Sequence, residues 1–464
     1  MASRKDQLHA YQFLVQRVIS AFVMRETDPA QSPLRRGVGA VFAGLMVAIV
    51  VGAAYGVYGL ITKVGGNGWR ADGAVVIEKE TGASFVYVAG RLHPTLNYAS
   101  ALLLSGRPGA PVFRVSHSAL AGVPRAVTVG IPGAPNSLPP AASAVGLPWS
   151  MCTAEAVSAS GAATTVTSLV VGHEPTGGTT VDAEHAVLAR DAVAGQRFLV
   201  WRGHRYALAE AVVPALFGAT ARSVPVGTAW LNALPVGADI GPIVVLRRGE
   251  LASAVPDRRI GDLLAAPTAA GPQYYLVFDD GLAPLTSLQQ ALLAAQAAVR
   301  PIEITVAIAS AAPRSSALPT AEGVTAPPQR TPVLVEPEPD GLVCASTVNA
   351  RAEPVVRLGG AHAALNAGIP TAGRSGTGAS LADRVAVPAG AVAVIRVLPS
   401  PDAEVGTYSI VTDLGVRYPV PSGEVLGFLG YSAARAVDVP VALAQRLPTG
   451  PTLDPAQALL PVVG

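Results

Sequence analysis

The sequence predicts an α+β protein with a single N-terminal transmembrane helix, followed by four strand–turn–helix repeats around a central β-rich domain. Three observations predict it. Residues 37–62 carry no charged side chain. A pattern of strand, G-x-R-Y, apolar helix, V-P-V and L-P-x-G runs through residues 197–240 and again through 407–453. Segments rich in β-branched residues and broken by glycines lie between the copies.

Taken in chain order, Ser3 followed by Asp6 reads as a capped helix start. Leu8, Tyr11, Val15, Val18 and Phe22 then recur at three- and four-residue steps, giving an amphipathic helix to about Met24. Asp28, Pro29 and Pro33 end it. Such a face either lies on a membrane surface or docks a cytoplasmic partner.

The apolar run over residues 38–61 would rise about 36 Å as a helix, against a hydrocarbon core of roughly 30 Å. A cleaved secretory signal would start sooner and hold a shorter apolar run of about 7–15 residues. The stretch therefore reads as an uncleaved single-pass anchor rather than a signal or a buried core helix. Arg4, Lys5, Arg17, Arg25, Arg35 and Arg36 precede it, and Lys63 and Arg70 follow closely. That bias puts the N-terminus in the cytoplasm and the bulk of the chain across the membrane. Gly44, Ala48, Gly52 and Gly56 fall on one face, the last two forming a GxxxG step. This suits close helix–helix packing, and it equally reflects the abundance of Gly and Ala in membrane helices.

Beyond the anchor the chain is turn-rich. It holds 48 Gly and 40 Pro, and is 50% hydrophobic but only 5% aromatic, so short elements with small buried side chains are expected. A net charge of +2 with no basic cluster argues against a nucleic-acid partner. The two cysteines, Cys152 and Cys344, fall outside the cytoplasm on this topology, where a lone pair of thiols is most simply one bridge. Such a bridge would put their Cα atoms roughly 4.4–6.8 Å apart. The alternative is two unpaired buried thiols.

The boundaries follow from these signals: a cytoplasmic segment 1–36, the span 37–62, a linker and first repeat 63–142, and the first part of the central β domain 143–196. The second repeat covers 197–250 and the third 251–310. A Pro-, Ser- and Thr-rich extended linker takes 311–340, the second part of the β domain 341–400, and the fourth repeat with its tail 401–464. Gly203 pairs with Gly415, Tyr206 with Tyr418, Pro225 with Pro440 and Pro235 with Pro448. Weaker copies start at Ser84 and Gln273. Strand runs are read at residues 163–171, 353–358 and 385–398, with each cysteine just before one of the first two.

Together these features resemble a known family. SRKDQLHAYQFLVQRVISAFV at the start, DPAQSPLRR before the span, and GRLHPTLNYASALLL from Gly90 are similar to blocks of the EccB family. The four repeats and two cysteines are similar as well. EccB proteins are membrane-anchored components of the type VII (ESX) secretion systems of mycobacteria and related actinobacteria. The resemblance implies an elongated periplasmic part with wall-binding-like repeats and a disulfide-held central domain. It implies assembly with an FtsK/SpoIIIE-type ATPase, a polytopic membrane subunit, a further membrane subunit and a subtilisin-like mycosin, and pairing of periplasmic parts with one another.

Enzyme chemistry finds little support. Residues 368–375, GIPTAGRS, fit a phosphate loop only if Arg374 replaces its lysine, which leaves Gly368, Gly373, Arg374 and Ser375 as a weak nucleotide-site candidate. The seven histidines show no short metal spacing, and no G-x-S-x-G elbow occurs. Asp279 and Asp280 read as a turn. No cofactor or metal is expected. The leading reading is a structural component of a secretion machine, with an anchored peptidoglycan-binding module and an extracytoplasmic NTPase as alternatives.

Overall fold

The computed structural model describes residues 3–25, 34–62, 67–158, 160–296, 300–318, 323–338 and 341–462. It comprises an N-terminal segment, Met1–Arg70, and a body, Ala71–Gly464.

In the N-terminal segment the first helix runs Arg4–Met24, with the Ser3 amide donating to the Asp6 carboxylate at 2.9 Å. It closes on Arg25 at φ 54°. The prolines expected to end it lie outside the described residues. A second helix, Leu34–Thr62, begins a little before the expected span. Its stretch Gly37–Gly59 has a mean hydropathy of 2.3, and its apolar window is not buried within the chain.

In the body one topology recurs four times. Three strands form an antiparallel meander, a helix crosses over, and a fourth strand returns parallel to the first, in spatial order 3-2-1-4. The crossover helix is what a parallel return requires. The first module comprises Ala74–Glu78, Ser84–Val88, Arg91–Thr95, helix Tyr98–Ser105 and Val112–Val115. The second comprises His185–Asp191, Arg197–Trp201, His204–Ala207, helix Val213–Phe217 and Val224–Val226. The third comprises Leu263–Thr268, Gly271–Phe278, Gly281–Pro284, helix Ser287–Gln296 and Ile302–Glu303. The fourth comprises Val392–Leu398, Thr407–Thr412, Arg417–Val420, helix Gly423–Phe428 and Val437–Pro440.

Each module is then closed by a proline carbonyl. The amides of Leu92, Arg205, Leu282 and Arg417 donate to Pro124, Pro235, Pro313 and Pro448 at 2.8–2.9 Å. Two residues past each proline, the amides of Ala126, Gly237, Ser315 and Gly450 donate back to the same four residues. Proline suits this corner because only its carbonyl is used, and it has no amide to leave unpaired.

Two details of the sequence reading change and a third is extended. The strands His185–Asp191 and Val392–Leu398, assigned by sequence to the central domain, belong to the second and fourth modules. Val392–Leu398, for example, pairs with Thr407–Thr412 and Val437–Pro440. A β-branched run looks alike in either sheet, and only its partners decide its place. Pro225 lies opposite Arg190, whereas the residue opposite the equivalent Arg396 is Asp438, so the two V-P-V prolines are not counterparts. Each cysteine precedes the strand read from the sequence, and also sits within a strand of its own, Trp149–Val157 or Val343–Thr347.

Those two strands lie in a seven-stranded central sheet. Its order is Ile369–Pro370, Arg384–Ala386, Ala163–Val171, Trp149–Val157, Val343–Thr347, Val355–Leu358 and Thr179–Thr180. One hydrophobic core joins this sheet to the second and fourth modules through Trp149, Trp230, Ile395 and Leu443. A second core joins the first and fourth modules through Leu102, Ile131, Leu426 and Leu453.

The described part of the Pro-rich stretch, residues 323–338, combines turns with short extended runs and is fastened to the body. Val333–Leu334 adds a parallel strand beside His185 and Ala186, and the Thr325, Ala326 and Gln329 carbonyls accept hydrogen bonds from the second and third modules.

Candidate functional site

On the first helix Leu8, Tyr11, Val15, Val18 and Phe22 are all exposed, Phe22 at 86%. Leu14 broadens this face, while Phe13, also exposed, lies on the opposite side under the Arg17 guanidinium at 5.8 Å. On the second helix a Cβ added at Gly44, Gly52 or Gly56 meets nothing within 4 Å, so the small-residue stripe is open. A smooth stripe lets another helix approach closely.

Cys152 and Cys344 form a disulfide and are direct cross-strand partners. Their Cα atoms are 4.0 Å apart, closer than the expected range, as suits opposed residues of a narrow antiparallel pair. Both are buried, with Leu342 and Leu365 packed around them. Two rungs away Ser150 and Ser346 share a hydrogen bond of 2.8 Å, so the polar groups on this strand pair are also matched across it. The bridge spans 192 positions and encloses the second and third modules.

The phosphate-loop candidate has the wrong surroundings. Gly368 leads into the two-residue edge strand Ile369–Pro370, and Gly373 has a left-handed φ of 68° in the turn that follows. The Ser375 hydroxyl accepts the Ala379 amide, closing a second turn. The segment after Ser375 forms turns where a phosphate site would place a helix N-terminus.

Asp279 and Asp280 bind their own surroundings. Asp279 accepts from the Ser253 amide and hydroxyl and pairs with Arg247, while Asp280 accepts from Ser315. These bonds hold both carboxyls below the usual range. Among the described residues, no group of three or more His, Cys, Asp or Glu could hold a metal ion.

Two features escaped the sequence reading. The His117 ring nitrogen Nδ1 lies 2.6 Å from the Glu78 carboxylate, joining residues distant in the first module. The Thr81 hydroxyl donates to the same carboxylate, and these bonds lower its pKa. The second is an open cleft of about 1770 Å³ between the second and third modules, the Pro-rich stretch and the central sheet. Trp201, His204, Gln289, Arg330 and Glu353 are among its lining residues. Neither feature carries a periodic or motif signal, because each gathers residues from separate elements.

An apolar helix long enough to cross a membrane, followed in the chain by a four-module β-rich body stapled by one disulfide, defines a multimodular class of protein. The sequence profile of the family described as "Type VII secretion system ESX-1, transport TM domain B" matches residues 1–462. The chain belongs to this EccB family of type VII secretion proteins. It is 28% identical over 98% of its length to the ESX-3 secretion system ATPase EccB3 of Mycolicibacterium smegmatis, covering 90% of that protein. It is 29% identical over 98% of its length to the ESX-1 secretion system ATPase EccB1 of Mycobacterium tuberculosis, covering 94% of it. Among solved structures it resembles a chain of the intact ESX-5 inner membrane complex at TM-score 0.63 and 26% identity, covering 100% of this chain and 96% of that one. It also resembles the EccB3 dimer from the ESX-3 core complex at TM-score 0.61 and 27% identity, covering 83% and 100%.

Proposed function

We propose that this chain is a structural membrane component of a type VII secretion machine and acts by assembly rather than turnover. The observation that carries this reading is the likeness, along its whole length, to a chain of the ESX-5 inner membrane complex. In this reading the helix Leu34–Thr62 crosses the cell membrane once, with the N-terminus cytoplasmic and the body periplasmic. The basic residues ahead of the span support that orientation. The disulfide supports it too, because such bonds persist in oxidising space.

The exposed face of the first helix then docks cytoplasmic partners, and the stripe of Gly44, Ala48, Gly52 and Gly56 packs against neighbouring membrane helices. The partners are an FtsK/SpoIIIE-type ATPase, a polytopic membrane subunit, a subtilisin-like mycosin and further copies of this chain. The relatives carry "ATPase" in their names. In this chain the nucleotide-site candidate around Arg374 lies in a run of turns, which favours a scaffold over a hydrolase.

Mild-detergent extraction followed by mass spectrometry of co-eluting chains tests the reading. Co-elution with the ATPase and the polytopic subunit is expected. Elution alone, together with sedimentation of the chain on purified cell wall, would replace it with a wall-binding role.

A further inference from the structure

The third module carries core clusters of its own. Two of its core clusters draw only on residues 243–318. The first and fourth modules, by contrast, share one continuous core. Apolar packing of the third module on the second comes from Leu288 and Leu292, which join the second module's core cluster.

The rest of the joint is spanned by the Pro-rich strap, residues 323–338. The Ala238 amide donates to the Thr325 carbonyl at 3.0 Å and the Tyr206 hydroxyl to the Ala326 carbonyl at 3.0 Å. From the third module, the Leu288 amide donates to the Gln329 carbonyl at 3.1 Å. The strap is fastened at its far end beside His185 and Ala186. Most of these fastenings go to strap main chain; residues 323–325, 329, 330, 333, 336 and 338 are exposed, and the strap's buried contacts are confined to Pro328, Pro332 and the packing of Leu334 and Val335 on neighbouring cores. An element held by few buried apolar contacts opens at a lower free energy than the cores it joins. Open space lies beside it, in the cleft of about 1770 Å³.

We infer that the joint between the second and third modules is a hinge latched by the strap, and that the third module swings as an arm when the latch opens, widening the cleft. The hinge goes beyond the scaffold reading, and it holds whichever subunits surround the body.

The test uses the full chain in detergent, with spin labels on cysteines introduced at Arg222 in the second module and Ala269 in the third, both exposed. The native disulfide remains buried. In one variant a protease recognition sequence replaces residues 327–330 and is cut after folding. In another, Tyr206→Phe removes the latch hydroxyl and keeps the ring. A second label pair at Lys79 and Asp402 reports on the first and fourth modules. A narrow distance distribution is expected before cutting. Cutting should broaden it and move it to longer distances, Tyr206→Phe should do so in part, and the Lys79–Asp402 distribution should stay narrow. An unchanged Arg222–Ala269 distribution in the cut protein would overturn the hinge, as would equal broadening of both pairs.

Discussion

Gly237 lies flat against the ring of Tyr206: a Cβ built at 237 would sit 2.2 Å from Cε1 of the tyrosine. The fourth module repeats the relationship, with Gly450 placing a Cβ 2.4 Å from Cε1 of Tyr418. The L-P-x-G ending of both modules is therefore a packing requirement, since any side chain at its glycine would displace a buried ring. Gly237→Ala and Gly450→Ala should each destabilise the body by about 1–3 kcal/mol, the usual cost of overpacking. Thermal unfolding checks this, with Gly241→Ala, in open space, as the neutral control. A Tyr206→Leu background should relieve the Gly237→Ala penalty.

Removing the disulfide with the paired substitutions Cys152→Ala and Cys344→Ala should lower the denaturation midpoint. The chain-entropy model gives on the order of 5 kcal/mol for a loop of this size. Because Cys152 is 0% and Cys344 3% exposed, reductant should leave the folded protein bridged and act only once denaturant opens it. Alkylation mass spectrometry with and without denaturant reads the difference. Labelling of the native thiols in folded protein would contradict it.

Acid should weaken the first module. Glu78 has a pKa below its ordinary 4.5, chiefly through the Thr81 hydroxyl and then through His117. A carboxyl with a depressed folded pKa contributes stability above its unfolded value and loses it as pH falls through the folded one. Stability should therefore decline as pH drops below about 4.5, and Glu78→Gln should flatten that part of the curve. At the alkaline end, burial pushes the Tyr206 hydroxyl up to about 12, so its contribution is present below pH 10 and is lost as pH rises from 10 towards 12. Tyr206→Phe should remove that loss.

Filling the stripe on the membrane helix with Gly52→Leu and Gly56→Leu should reduce recovery of partner subunits after detergent extraction while leaving the body folded. Phe22→Asp on the first helix should selectively lose the cytoplasmic partner. Normal recovery with all three substitutions would remove these faces from the assembly model.

Arg374→Ala should leave phosphate release by the purified full chain at background. A measurable hydrolysis that this substitution abolishes would restore the nucleotide-site reading.

The parts legible in sequence were those written in local chemistry. The charge-free stretch is visible because its length and hydropathy stand out in the sequence itself, and the L-P-x-G ends because a proline carbonyl and a missing side chain are both used there. Gly203 and Gly415 match for a backbone reason, with φ of 72° and 71° in their hairpin turns. Sheet membership was not legible. Arg384–Ala386 and Val392–Leu398 lie a few residues apart, yet one pairs into the central sheet and the other into the fourth module. The strap's role was hidden for a related reason: its fastenings use main-chain carbonyls, which every residue possesses. The Glu78–His117 pair and the cleft depend on distant elements meeting, which no local pattern encodes.

Residues 460–462 bring a consequence for the order of folding. Val129 bridges to Pro461, the Val462 amide donates to the Thr128 carbonyl, and Leu453 and Ala458 pack into the core beside Ile131. The first module is thus finished by chain made hundreds of positions later. During synthesis it must wait, with an apolar face uncovered, while three other modules emerge. The earliest-made module is therefore the last to be completed.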